Sequence, residues 1–250
     1  MIRGLYSAAS GMIAEQAIQD TLAYNIANAN TVGFKQDTQT FRALHGMEIS
    51  RLTNGSGRGP VIGELGVGVA ADKVYTDWQT GPLARTGNPL DASLGDNQLF
   101  AVQTPRGERY TRAGEFQVDA TGRLLTNTGL AVLDSNRQPI QAQGPGKFAL
   151  DSAGNLTSNG QIVARLRIVQ ADPNTLIKDG DSLFAALDPA GVRPAPAPLV
   201  RPGTLEQSNV NPVGELVKLI TVSRSFDTAQ RALTTQDELL RQAATEVGKT

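Results

Sequence analysis

Two aspartates, Asp119 and Asp151, hold the same place in a repeated phrase, GEFQVDATGRLLTNTG (114–129) and GKFALDSAGNLTSNG (146–160). Phe116, Asp119, Gly122 and Leu124 of the first match Phe148, Asp151, Gly154 and Leu156 of the second. A pair of carboxylates is the equipment of a glycosidase, one as acid and one as base or nucleophile. It is also the start of a cation site, but one carboxylate per turn supplies too few hard ligands for calcium. Asp at the first turn position and Gly at the fourth is type I turn chemistry, which reads each phrase as a β-hairpin. Asp179 and Asp181 make a further carboxylate pair that charged turns explain equally well.

The other reactive residues are isolated. His45 is the only histidine, so no histidine-ligated metal site can be built. Cysteine is absent, which removes disulfides, thiolate catalysis and thiolate metal sites. GELGVGVA (63–70) lacks the spacing of a dinucleotide or phosphate loop and reads as strand and turn. Trp78 could stack on a sugar ring, but a lone tryptophan reads as a packing residue. Arg109 and Arg112 flank Tyr110 without the wider basic patch that nucleic acid requires. No catalytic residue, cofactor or metal is expected from these residues.

The elements around them are more telling. From Ile2 a three-four alternation runs through Leu5, Ala9, Met12, Gln16, Gln19, Ala23 and Ile26, six of eight apolar. Near the other end it runs Leu219, Val222, Phe226, Ala229, Leu233, Gln236, Leu240, Ala243 and Val247, eight of nine apolar, with Leu216 and Ile220 extending it. Such a seam suits helix-to-helix contact, and the helices would be roughly 40 to 55 Å long. They meet each other or are offered to neighbours; ordinary core helices are the plainer alternative. Asn211-Pro212 supplies a cap and a first helical residue. Asn28, Asn30 and Gly33 supply a helix stop.

Between the helices the chain reads as an extended arm over 35–70, a β-domain over 71–191 and a proline-rich strap over 192–210. Helical segments at 1–34 and 211–250 complete the division. Leu99–Thr104 is one expected strand. Ile162, Ala164, Leu166 and Ile168 spell another, half-buried by alternation. The net charge of -1 implies no attraction to nucleic acid or anionic membrane. No apolar run is long enough to cross a bilayer, and the periodic N-terminus does not read as a secretory signal.

Three segments then become specific. MIRGLYSAASGM (1–12) with NIANANTVGFK (25–35) resembles the N-terminal signature of the flagellar basal-body rod and hook family. GTLEQSNVNPVGELVKLITVSRSFDTAQRALTTQDELL (203–240) is similar to its C-terminal signature, in which Ser208, Asn209 and Val210 lead into a helix. That helix carries an Arg-aromatic pair in the family; Arg224 and Phe226 are the nearest equivalent here, with Ser225 between them. YTRAGEFQVDATGRLLTNTG (110–129) resembles the family's shared β segment. TGNPLD (86–91) and KDGDSLF (178–184) are most like proximal rod members, with distal rod members next.

The resemblance implies an α+β fold whose long terminal helices pair as a coiled coil, with an inserted all-β, hairpin-rich domain. It implies a structural subunit that stacks with itself and other rod subunits into a helical tube, an axle inside the cell envelope. Export by the flagellar export apparatus without a cleaved signal is implied as well. Leu5, Met12 and Ile26 would face Phe226, Leu233 and Leu240, with Leu219 on the same seam. Asn25, Asn28 and Gly33 would set the turn after the first helix. An envelope enzyme or glycan-binding module, and a coiled-coil adaptor that never polymerises, are the readings from other classes.

Overall fold

The computed structural model describes residues 2–52, 58–142, 146–180 and 182–247. The chain forms two units. A helical unit combines Met1–Ala27, Asp37–Thr76 and Asn211–Thr250; a β unit combines Asn28–Gln36 and Asp77–Val210.

In the helical unit, α1 (Ile2–Ala27) and α2 (Pro212–Val247) enclose four strands in sequence. These are β1 (Asp37–Ala43), β2 (Met47–Leu52), β3 (Arg58–Leu65) and β4 (Val69–Thr76). The start of α2 is set by Asn211, whose side chain accepts the Gly214 N–H at 3.1 Å and whose carbonyl accepts that of Glu215. Pro212 follows at the first helical position, where its missing N–H costs nothing. The strands nest. β1 pairs antiparallel with β4 from Asp37↔Thr76 to Ala43↔Val69, and β2 pairs with β3 inside them. Residues 35–70, expected as an arm, thus carry most of a two-stranded ribbon. Such a ribbon is marginal alone, and α1 packs against β1 and β4.

The helices are antiparallel neighbours: Asn25 meets Glu215, Glu15 meets Ser225, and Gly4 lies against Gln236. The expected coiled coil is corrected here. A coiled coil buries one continuous seam on both partners. α1 instead buries Ala14, Leu22 and Asn25, while Gln16 and Ala23 of the expected seam are exposed. The covered face of α1 is shared between α2 and the two strands, so it cannot follow a two-helix repeat. On α2, Leu219, Val222, Phe226, Ala229, Leu233 and Leu240 are only half-covered, Gln236 and Ala243 are exposed, and so are Leu216 and Ile220, expected to extend that face. Among the described residues the chain is α+β, with two α-helices and a strand-rich remainder, and shows no coiled-coil pairing. The side chains of Ile2 and Val247 lie outside the described set.

The β unit supplies the core. Its strands are β5 (Leu83–Arg85), β6 (Ala92–Leu94), β7 (Gln98–Thr104), β8 (Gly107–Thr111), β9 (Phe116–Val118), β10 (Leu124–Thr126) and β11 (Ala131–Val132). Then come β12 (Phe148–Leu150), β13 (Asn155–Ser158), β14 (Gln161–Arg165), β15 (Ile168–Ala171), β16 (Leu176–Lys178) and β17 (Leu183–Ala186). β18 (Val192–Pro194), β19 (Val200–Pro202) and β20 (Thr204–Glu206) finish the unit. β7 is the hub of a nine-stranded sheet, with β8 on one edge and β15 and β11 sharing the other. Its side chains alternate between two cores: Leu99 and Ala101 join Tyr110, Val169 and Phe184, while Phe100 and Val102 join Phe116, Leu124 and Leu156. Burial on both faces explains why β7 reads as a continuous apolar run.

Both halves of the repeated phrase are hairpins, pairing Val118 with Leu124 and Leu150 with Leu156. The alternating run at 162–168 differs from expectation. It is two strands, because the chain leaves the three-stranded β12–β13–β14 sheet at Arg165 and joins β7 from Ile168. The turnover leaves Ile162 exposed, while Leu166 and Ile168 enter the core. The proline-rich segment is hydrogen-bonded near both ends, as β18 on β15 and β19 on β6.

Candidate functional site

The carboxylates that suggested catalysis hold their own turns. Asp119 Oδ1 accepts the N–H groups of Thr121 and Arg123, and Asp151 Oδ1 those of Ala153 and Asn155. Asp134 does the same with Asn136 and Gln138. In each turn the residue three after the aspartate is left-handed: Gly122, Arg137 and Gly154. Sequence comparison missed the middle turn because an arginine stands where the others have glycine. Asp179 is held by Arg109 at 2.6 Å and Arg106 at 2.8 Å; Asp181 lies outside the described residues. Trp78 packs on Phe184, ring centroids 4.5 Å apart, and His45 is exposed. Among the described residues no three His, Asp or Glu side chains gather as metal ligands.

At Asp119, Asp151 and Asp179 these bonds lower the carboxyl pKa. The Thr121 hydroxyl and the Arg123 N–H hold Asp119 well below the usual range. Partial burial pushes Asp151 upward, but the N–H and amide of Asn155 outweigh it. Asp179 is lowered first by its bond to Arg109. A depressed carboxyl contributes stability above its unfolded value and loses it as pH falls through the folded value. The urea midpoint should therefore hold down to about pH 4 and fall below it. Asp151→Asn should flatten that fall; an unchanged acid limb counts against the turn assignment.

The terminal signatures converge. In the helical unit the Asn25 amide donates to Asp37 O at 2.7 Å and to Glu215 Oε2 at 3.0 Å, and accepts the Asp37 N–H at 2.9 Å. It is wholly buried, and this geometry ties the end of α1 to the start of β1 and the first turn of α2. In the β unit, Asn209 accepts the Gln36 N–H at 2.7 Å and donates to Asp77 O and Gln79 O. Ser208 accepts the Val210 N–H, and both are buried. Asn28 caps the turn by accepting from the Thr31 hydroxyl.

Beside Asn209, within the β unit, sits a buried ion cluster that sequence reading did not find. Lys35 and Glu206 are each 1% exposed and 2.7 Å apart. Arg112 pairs with the other Glu206 oxygen through Nε at 2.8 Å and Nη2. Two cations on one anion leave an excess of charge that carbonyls share: Gln79 O takes Lys35, and Gly95 O and Gln98 O take Arg112. Burial lowers the Lys35 pKa, with Glu206 opposing. Lys35 stands in the N-terminal signature, but only its partner 171 residues later reveals its role.

Gly33 seals the arrangement. Its φ is +69°, and a Cβ there would lie 2.5 Å from Arg112 C and Ala113 N. Its N–H donates to Glu206 O at 2.8 Å. Gly33→Val should cost about 1–2 kcal/mol for the left-handed backbone and about 1–3 more for the clash. A urea midpoint equal to that of the parent would refute the close approach.

Of the expected seam, Leu5, Met12 and Ile26 lie half-buried on α1, and Leu219, Phe226, Leu233 and Leu240 half-buried on α2. Ala14, Leu22 and Asn25, which sequence did not place on the covered face, are the buried residues of α1.

Family models match the same segments. Residues 5–35 match the flagella basal body rod protein, 96–144 the D1 domain of the flagellar hook protein FlgE/F/G, and 201–246 the C-terminal part of the flagellar basal body rod FlgEFG protein. The chain is 33% identical to the flagellar basal-body rod protein FlgG of Bacillus subtilis over 97% of its length and 98% of that protein. The chain belongs to the flagellar basal-body rod family. Within that family it is also 32% identical to FlgF of Rhizobium meliloti over 99% of both chains, and 33% identical to FlgF of Caulobacter vibrioides over its whole length and 99% of the relative. The first and last family matches hold Asn25, Gly33, Lys35, Glu206, Asn209 and Glu215, the residues that join the two ends.

Proposed function

We propose that this chain is a structural subunit of the bacterial flagellar basal-body rod, stacking with copies of itself and other rod subunits into the axle that carries torque to the hook. The observation that carries this reading is the thin core of the helical unit. Ala14 and Leu22 are its fully buried apolar side chains among the described residues, while Tyr6, Ile13, Val61, Ile62, Val213 and Val217 are exposed. Burying a leucine is worth about 1.5–3 kcal/mol, and ordering each backbone residue costs about 1–2 kcal/mol. Neighbouring subunits supply the missing cover. The turn aspartates are committed to main-chain hydrogen bonds, so the chain is read as structural, with no reaction and no cofactor. Delivery is assigned to the flagellar export apparatus. No helix among the described residues is long and apolar enough to cross a membrane.

Within the rod we place the chain at the proximal end, on the segments TGNPLD and KDGDSLF. Disrupting its gene should abolish hooks, filaments and swimming, and the intact gene should restore them. Wild-type swimming in the disrupted strain would overturn the rod reading. Restoration of a strain lacking the distal rod protein, but not one lacking the proximal protein, would reverse the placement.

A further inference from the structure

Two stretches of the β unit separate at the start of β15. The chain leaves β14 at Arg165 and enters β15 at Ile168. Alongside, β18 ends at Pro194 and β19 begins only at Val200. Pro196 and Pro198 have no N–H, so the stretch between them cannot continue the ladder. The Gln98 side chain fixes it instead, donating to Ala197 O at 3.1 Å and accepting the Leu199 N–H at 3.0 Å. Between the two stretches lies a half-open cavity of about 250 Å³. A cavity of roughly 150 Å³ already admits a molecule of benzene's size.

Its lining divides by chemistry. Pro194, Pro196 and Pro198 give a wall without N–H donors, and Leu166 and Ile168 belong to the apolar core. The donors are Ser135, Arg165 and Arg167. Arg167 Nε is held by Glu108 at 2.7 Å, which neutralises it. Arg165 is exposed, and its guanidinium pairs with no described residue. The Ser135 hydroxyl reaches only Arg165 O, at 3.5 Å, near the limit of a hydrogen bond. No acid lines the cavity. Asp134, bridged to Leu166, spends its carboxylate on the N–H groups of Asn136 and Gln138. The cavity therefore carries one uncompensated positive charge beside an apolar wall.

We propose that this cavity binds a small monocarboxylic acid, its carboxylate on the Arg165 guanidinium and its apolar body against the prolines. A guanidinium fork matches a carboxylate with two parallel hydrogen bonds. One net charge balances a monoanion and leaves a dianion in excess. The wall is already fixed by Gln98, so little ordering is left for binding to supply. The proposal stands apart from the rod reading.

Titration of the isotope-labelled full chain with butyrate, at constant ionic strength, tests it by nuclear magnetic resonance. The amide signals of Ser135, Arg165 and Ile168 should move together and saturate. Butyramide, of the same shape without the charge, should leave them in place. Arg165→Gln should weaken binding about tenfold or more. Arg165→Lys should retain part of it, since lysine keeps the charge and loses the fork. Arg165 is unpaired, so both variants should melt with the parent. Ser135→Phe, which fills the cavity and spares the arginine, should abolish binding. Shifts that never saturate, an equal response to butyramide, or full affinity in Arg165→Gln would overturn the proposal. Tighter binding of inorganic phosphate at the same signals would overturn it as well.

Discussion

Glu206→Gln should destabilise the β unit by about 3–5 kcal/mol, the cost of leaving buried charge without its counter-ion. The carboxylate takes Lys35 and the Gly81 N–H on one oxygen and Arg112 on the other, and it is almost fully buried. Glutamine keeps the shape and withdraws the charge, so two cations face only carbonyl groups. The partners should not be equivalent. Lys35→Met removes one of two cations and leaves Glu206 paired with Arg112, so it should cost less than Glu206→Gln. Replacing all three by apolar residues of similar volume should recover much of the loss, since desolvation of the ions disappears with them. Trp78 is the only tryptophan and packs in the β unit, so its fluorescence during urea unfolding reads this unit directly. A loss below about 1 kcal/mol for Glu206→Gln, or a larger one for Lys35→Met, would contradict the cluster's role.

Deleting residues 212–250 should abolish swimming completely while the β unit remains folded. Both apolar clusters of that unit are built without α2, so fluorescence unfolding of Trp78 should retain a cooperative transition. The helical unit should not survive the cut. α1 would lose the neighbour that meets it from Asn25 to Gly4, and Asn25 would lose Glu215. Helical circular dichroism should fall by more than the deleted residues account for. Hooks and filaments in the truncated strain would sink the assembly reading.

The legibility of this chain in its sequence varied with how local the cause was. On α2 the spacing ran through Leu219, Val222, Phe226, Ala229, Leu233 and Leu240, which are half-covered, but also through Leu216, Ile220, Gln236 and Ala243, which are exposed. α2 meets α1 along only part of that repeat, and its one buried side chain among the described residues, Glu215, is a carboxylate that hydropathy spacing passes over. The same repeat misdrew α1, because its covered face is shared with β1 and β4 and runs through Ala14 and Asn25. Alanine and asparagine carry almost no hydropathy signal. The hairpins at Asp119 and Asp151 were readable because turn chemistry lies within five residues. Glu206 was not, since a glutamate reads as surface until a lysine 171 residues earlier is brought beside it. The residues that join the two ends stand in the terminal signatures, yet which of them touch could come only from the folded chain.

The nested ribbon of β1–β4 starts and finishes side by side, at Asp37 and Thr76. Its length is therefore a free variable. One residue added to each strand extends the ribbon by about 3.3 Å and leaves its base unchanged. A residue added to one strand alone reverses which side chains point to which face, unless a bulge absorbs it. The register already slips between Gln39 and Phe41, and twice more between Ile49 and Leu52. This part of the chain can act as an adjustable gauge, lengthened or shortened over descent while the helices and the sheet keep their dimensions.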